Sequence, residues 1–228
     1  MDYFYSKNIS KKIIILDGQE MIHGIRVLRK KIGDNIFVVD GLGGLFHSKI
    51  IKILPNECHL EILKSETIQK KIKVHLVISP TKSHKRIEWM IEKIVEIGVE
   101  RVSFMVCKNS IRNNINLNRL NKIALSAMKQ TQNTFLPKID SCISFQEIFS
   151  IISSKEKYIA HLNKKNNAHL SSILKNEKSR CILIGPEGDF TNDEVSYALK
   201  NNFIEVSLGN SRLRTETSGI VSTTILNL

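Results

Sequence analysis

At 228 residues, 42% of them hydrophobic, the chain can bury the core of one large domain, or of a small domain beside a medium one, which excludes a disordered tail. No apolar run approaches a membrane span, and the N-terminal Met-Asp-Tyr-Phe-Tyr is neither a signal nor a transit peptide, so a soluble cytoplasmic protein is expected. A formal net charge of +12 and a pI near 9.6 favour polyanions, nucleic acid first, although a Lys-, Ile- and Asn-rich composition raises the pI whatever the function.

Cys58, Cys107, Cys142 and Cys181 lie far apart without a C-x-x-C pair, which predicts buried free thiols in a reducing compartment. The histidines form neither an H-E-x-x-H pattern nor a Cys/His cluster, so no metal site is expected.

Along the chain, Lys12–Leu16, Asn35–Val39, Leu45–Ile53 and Cys58–Leu63 read as strands parted by Gly-Asp, Asp-Gly-Leu-Gly-Gly and Pro-Asn turns. Gln19 to Arg29 reads as a short helix with Met21, Ile22, Ile25 and Leu28 free to pack. These elements predict a small β-barrel-like unit over residues 1–70, ending in the polar stretch Ser65 to Lys73. From residue 73 to 228 strands and helices alternate. Val74–Ser79, Arg101–Val106, Tyr158–Leu162 and a strand through Cys181 read as strands. Ser83 to Ile97, stopped by Gly98, and Leu117 to Thr131 carry one-sided apolar stripes, while Phe145–Ile152 and Ala168–Leu174 read as short helices. That alternation predicts an α/β layer on a mostly parallel sheet.

Two stretches stand out for chemistry. Cys181 to Ile184 is an apolar strand that stops at Gly185-Pro186-Glu187-Gly188, followed by a Thr191-x-x-Glu194 capping box between Phe190 and Val195. A second short strand, Ile204–Ser207, leads through Leu208 and Gly209 to Arg212, Leu213, Arg214, Thr215 and Glu216, where a final helix starts. Two such passages can set glycine-lined loops side by side at strand C-terminal ends, where open α/β sheets bind ligands. Taken alone, the Gly-Pro-Glu-Gly turn reads better as a tight connection whose glycines serve positive φ. Arg212, Arg214 and Glu216 fit anion contact beside a carboxylate, or a solvated helix start. Neither the dinucleotide fingerprint nor the P-loop pattern occurs.

The pair Ile184-Gly-Pro-Glu-Gly188…Glu194 and Leu208-Gly209…Leu213-Arg-Thr-Glu-Thr217 resembles the ribosomal RNA small-subunit methyltransferase E family. His23…Val27-Leu-Arg29, Gly33-Asp34 and Asp40-Gly41-x-Gly43 resemble that family's N-terminal PUA-like domain. Lys93…Glu96-Ile-Gly-Val99 and Gln130…Pro137 are similar to its first two catalytic-domain helices. The resemblance implies a PUA-like RNA-binding domain, a SPOUT-type α/β domain with a C-terminal trefoil knot, and a homodimer. It also implies methylation of N3 of a uridine in 16S ribosomal RNA with S-adenosylmethionine as cofactor. The cofactor pocket then maps onto Leu162, Gly185, Pro186, Glu187, Gly188, Leu208, Gly209 and Leu213. Arg214 and Glu216 map to catalysis, and His23, Arg26, Arg29, Lys82, Lys85 and Arg86 to RNA contact. Asp189 stands where a third glycine is usual, Arg212 where an aliphatic residue is usual, and Asn109 and Asn133 where arginine is frequent. Two other readings stay open: a non-catalytic assembly factor that keeps the fold, and a related methyltransferase with another RNA target.

Overall fold

The computed structural model describes residues 3–162 and 168–228, so Met1 and Asp2 of the N-terminal stretch read above lie outside the described residues. The chain forms two compact units, one of Met1–Lys70 with Leu125–Leu136, the other of Lys71–Ala124 with Pro137–Leu228.

The first unit is a six-stranded sheet in the order β1 (Tyr3–Tyr5), β4 (Asn35–Val39), β5 (Gly44–Ile53), β6 (Glu57–Thr67), β3 (Ile13–Asp17), β2 (Asn8–Ile9). Alternation along the strands turns Phe4, Ile14, Leu16, Ile36, Val38, Ile50 and Leu60 into one core. Both β1 and β2 escape the sequence reading, being three and two residues long. β6 runs on into the polar stretch taken as a boundary, because its last residues pair with β5 while their side chains stay exposed. The helix expected over Gln19 to Arg29 is α1 (Gly18–Ile22) continued by a π turn, His23–Val27. At its end Arg29 adopts φ 54°, a left-handed backbone that closes the helical run.

The second unit is built on six parallel strands in the order β12 (Ile204–Val206), β10 (Glu156–Ala160), β11 (Ser179–Ile184), β7 (Lys73–Ile78), β8 (Arg101–Val106), β9 (Lys138–Ser144). Both faces are covered, as a parallel sheet requires. One face sends Val77, Met105, Ile159, Cys181 and Leu183 against Val195 and Ala198 of α5 (Asn192–Lys200) and Ile148 of the 3₁₀ turn Glu147–Ile151. On the other lie α2 (His84–Ile97) and α6 (Thr215–Leu226), the latter packed on α2, β7 and β11. α2 follows the expected stripe of Ile87, Met90, Ile91, Ile94 and Val95 and stops at Gly98, φ 104°. α3 (Leu117–Gln130) starts in this unit and ends in the other, and α4 (Leu170–Ile173) is a single turn. β10 begins two residues earlier than expected, so Leu162 lies past its end. β9 was not expected, since its pairing with β8 shifts register between Val102 and Phe104 and spoils a regular pattern. From β12 at the sheet edge the chain returns to the centre as α6, the return that a C-terminal trefoil knot requires. Among the described residues no helix is long and apolar enough to cross a membrane, and no cluster of metal-binding side chains occurs. All four cysteines are free thiols, three buried and Cys142 half-buried.

A buried polar chain joins three strands. His75 Nε2 lies 2.8 Å from Ser103 Oγ, and Ser103 Oγ donates to Asp140 Oδ2 at 2.6 Å. The hydroxyl proton is spent on Asp140, so His75 must be the donor to Ser103. Burial, with Arg101 adding to it, pushes the His75 imidazole down to about 4. Burial would lift Asp140, but hydrogen bonds from Arg101 and Ser103 outweigh it and hold the carboxyl below its ordinary range. His75 is therefore neutral in the fold, whereas the unfolded chain takes up its proton below 6.5. Stability should be complete above that pH and fall as pH drops to about 4, by about 3 kcal/mol in all. His75→Gln keeps the donor to Ser103 and should flatten the dependence in that window; urea titrations from pH 7 to pH 4 check it.

Candidate active site

Three passages of the second unit converge at the carboxyl ends of β10, β11 and β12 around a cavity of about 370 Å³, a size ordinary for sites that hold drug-sized ligands. Its walls are Ala160 to Leu162 after β10, Ile184 to Glu187 with Asp189 after β11, and the Val206–Glu216 segment with Ser218 (Asn210 excepted), joined by Arg86 from α2. Of the residues assigned to the cofactor, Leu162, Gly185, Pro186, Glu187, Leu208, Gly209 and Leu213 line it. Gly188 does not. Its peptide faces the other way, its carbonyl accepting the Asn109 side-chain amide at 3.2 Å.

The first loop is shaped by close approach rather than by glycine backbone. A Cβ on Gly185 would meet the Phe190 ring at 3.1 Å, and one on Gly188 would meet Asn109 Cβ at 3.2 Å, yet neither glycine has positive φ. The left-handed residue is Asp189, φ 61°, in the place where the resemblance has a glycine. Aspartate tolerates that conformation because its short side chain can bond locally. Asp189 Oδ1 accepts Phe190 N–H at 2.8 Å and Oδ2 accepts Leu162 N–H at 2.9 Å, tying the loop to the end of β10. Asn109 donates to the carbonyls of Gly188 and Asp189, so it braces the loop from β8's side. Asn133, in the first unit, accepts Phe135 N–H at 3.0 Å and serves a turn. The capping box is complete: Thr191 Oγ1 accepts Glu194 N–H, Glu194 Oε2 accepts Thr191 N–H at 2.8 Å, and Glu194 Oε1 accepts Lys108 N–H at 2.9 Å. In the second loop Gly209, φ 127°, supplies the backbone freedom, and Thr215 Oγ1 donates to Gly185 O at 3.2 Å, joining the two loops.

Charge within the cavity is arranged unevenly. Glu216 is 5% exposed; its Oε1 lies 3.5 Å from Arg86 Nε, and its Oε2 is buried without a partner among the described residues. Glu187 Oε1 accepts Lys82 N–H at 3.0 Å, and among the described residues its Oε2 is likewise buried and unpartnered. Among the described residues nothing engages the Arg214 guanidinium by hydrogen bond or ion pair, while Arg212 reaches Glu187 O at 3.4 Å. Arg86, assigned from sequence to RNA, is thus paired with Glu216 in the cavity. Sequence reasoning missed that pair, and missed His161, whose Nε2 lies 2.6 Å from Glu205 Oε1 on the cavity wall. The first pair needs α2 packed on α6, and the second needs β12 beside β10. Lys82 and Lys85 are exposed at the start of α2. In the first unit Arg26 and Arg29 are exposed, whereas His23 is half-buried with its ring 6.0 Å from Phe4.

Residues 68–227 match the family model described as RNA methyltransferase domain, and residues 16–63 match that of the RNA methyltransferase PUA domain. The chain is 30% identical over 214 residues to a ribosomal RNA small subunit methyltransferase E of Buchnera aphidicola subsp. Acyrthosiphon pisum, spanning 88% of this chain and 82% of that protein. Among solved structures, a probable rRNA-methyltransferase from Porphyromonas gingivalis is similar with TM-score 0.90 and 37% identity, covering 98% of this chain and 95% of that one. A ribosomal RNA small subunit methyltransferase E from Neisseria gonorrhoeae bound to S-adenosyl methionine is similar with TM-score 0.86 and 26% identity, at the same coverage of 98% and 95%.

The two ties of Asp189 can be separated from its backbone strain. Asp189→Gly and Asp189→Ala lose the same hydrogen bonds, but only alanine keeps a Cβ at φ 61°. The alanine variant should be less stable than the glycine variant by about 1 kcal/mol, measured by chemical denaturation of the two side by side.

Proposed function

The chain belongs to the ribosomal RNA small subunit methyltransferase E family, and on that premise we propose that it methylates N3 of one uridine in the 16S RNA of the small ribosomal subunit. Residues 1–70 serve as the RNA-binding domain and residues 73–228 as the catalytic domain of a cytoplasmic homodimer. The observation that carries the catalytic reading is the placing of an unengaged guanidinium, Arg214, and a buried open carboxylate oxygen, Glu216 Oε2, on the wall of one cavity.

The cavity suits S-adenosylmethionine. Its glycine loops offer backbone N–H and C=O groups at close range, and the open oxygen of Glu187 awaits a donor or positive charge. A cation rich in donors answers that need and leaves Glu216 Oε2 to the substrate. Leu162, Gly185, Pro186, Glu187, Leu208, Gly209 and Leu213 hold it, with Gly188 supporting the loop from behind. The cofactor supplies a methyl group already activated on a sulfonium, so the protein's work is positioning and the handling of one proton. Uracil N3 must lose its hydrogen before its lone pair can attack carbon. Arg214 stabilises the negative charge that spreads onto the uracil oxygens. Glu216 Oε2 accepts the proton, while Arg86 holds Oε1 and fixes the carboxylate plane. The uridine has to be unpaired or drawn out of its stack to reach the cavity. Lys82, Lys85, His23, Arg26 and Arg29 supply phosphate contacts that make binding fall with salt.

Arg214→Ala should lower kcat by about 10²–10³-fold with cofactor affinity little changed, the loss typical of removing one preorganised donor. Lysine at this position should restore only part, lacking the planar fork. Radiolabelled methyl transfer to small subunits lacking the modification, followed by nucleoside analysis, tests the reaction and its target atom. Calorimetric titration with S-adenosylmethionine tests the pocket separately. Tight cofactor binding with no methyl transferred would favour an assembly factor instead.

A further inference from the structure

The outer face of the N-terminal sheet carries a row of rings that methyl transfer does not use. Phe4, Ile36 and Val38 point into the core, so strand alternation turns Tyr3 and Phe37 to the opposite face; His47, next to buried Ser48, joins them there. Strand register sets Tyr3 against Phe37, Phe37 against His47 and His47 against Lys64, one side chain from each of four consecutive strands. The rings stack. Tyr3 and Phe37 have centroids 5.8 Å apart at 20°, and Phe37 and His47 4.9 Å apart at 8°. A separation close to the interstrand spacing means the stack runs across the strands, towards the sheet edge. β1 is that edge, all three rings are half-buried, and among the described residues no further ring covers the far side of Tyr3.

Charge does not select the partner of this surface. Lys64 is shared with Glu66 at 2.6 Å, and Lys49 in the next row stands between Asn35 and Glu61. What the row offers is a flat π-face at the end of an ordered stack. Unpaired nucleic-acid bases recognise such a face whatever their sequence, whereas a duplex keeps its base faces covered. We propose that Tyr3, Phe37 and His47 form a stacking platform for unpaired bases of RNA, the first base adding to the open side of Tyr3. The proposal rests on the reading of the chain as an RNA methyltransferase and adds a base-binding surface to it.

The test is anisotropy of labelled oligouridylate binding to the full chain over a range of salt, with a duplex of equal length alongside. Tyr3→Ala should weaken single-strand binding about tenfold or more at every salt concentration, leave duplex binding unchanged, and keep the slope of log K against log salt. Arg26→Ala, removing a cation, should instead reduce that slope by about one. Tyr3→Trp should restore affinity, and its fluorescence, above the background of Trp89, should be quenched when oligouridylate is added. Unchanged affinity in Tyr3→Ala, an equal loss for duplex, or a loss confined to low salt overturns the platform. Thermal melting and S-adenosylmethionine titration of each variant guard against misfolding, and the unquenched tryptophan variant would count against stacking even if the alanine variant were unstable. Methyl transfer by the unaltered chain is scored separately: its absence removes the catalytic reading while a Tyr3-dependent oligonucleotide affinity still stands.

Discussion

The carboxyl edge of the parallel sheet depends on how closely α6 lies on it. A Cβ at Gly219 would meet Ile78 Cδ1 and Met90 Sδ at 3.0 Å and Leu76 Cδ2 at 3.3 Å, so β7, α2 and α6 come together at the one residue of the helix that has no side chain. The helix is then held at both ends. At its start Thr215 bonds the first loop through Gly185 O, and at its end Arg180 Nη1 donates to Leu226 O at 2.8 Å. Arg180 is itself fixed by the carbonyls of Lys175 and Glu177 and lies 3.8 Å from the buried Glu156 carboxylate. Because Arg214, Thr215 and Glu216 open this helix, the distance between helix and sheet sets where the guanidinium and the open carboxylate oxygen stand.

The same geometry separates two kinds of acidic residue that look alike in sequence. Glu194 is satisfied on both oxygens and is structural. Glu187 and Glu216 are each satisfied on one oxygen, and the free oxygen of each is buried. A buried acceptor without a donor is costly, and in a cavity wall that cost is offset when a ligand brings the donor. The asymmetry supports a binding role for the cavity independently of its shape.

Much of this was legible in advance where the controlling interactions are local. The stripe of α2, its stop at Gly98, the capping box of α5 and the two loop-to-helix passages each lie within a few residues of their cause. What escaped detection is non-local or too short to carry a period. β1 and β2 exist through pairing with distant strands, and β9 is disguised by a register shift. The Arg86–Glu216 pair spans most of the second unit and needs α2 and α6 to be neighbours before it can be seen. Asp189 was visible as a departure from a family glycine, but its left-handed backbone and its tie to Leu162 appear only in three dimensions. The glycines beside it, read at first as turn residues, owe their place to crowding by Phe190 and Asn109.

The Glu194 carboxylate has a dynamic consequence. It accepts N–H groups from Lys108, just past β8, on one oxygen and from Thr191, at the mouth of α5, on the other, and the residue is 8% exposed. A motion that swings this side chain out of place uncovers both amides at once. Such a motion couples the loop after β8 to the first turn of α5 although they are far apart along the chain.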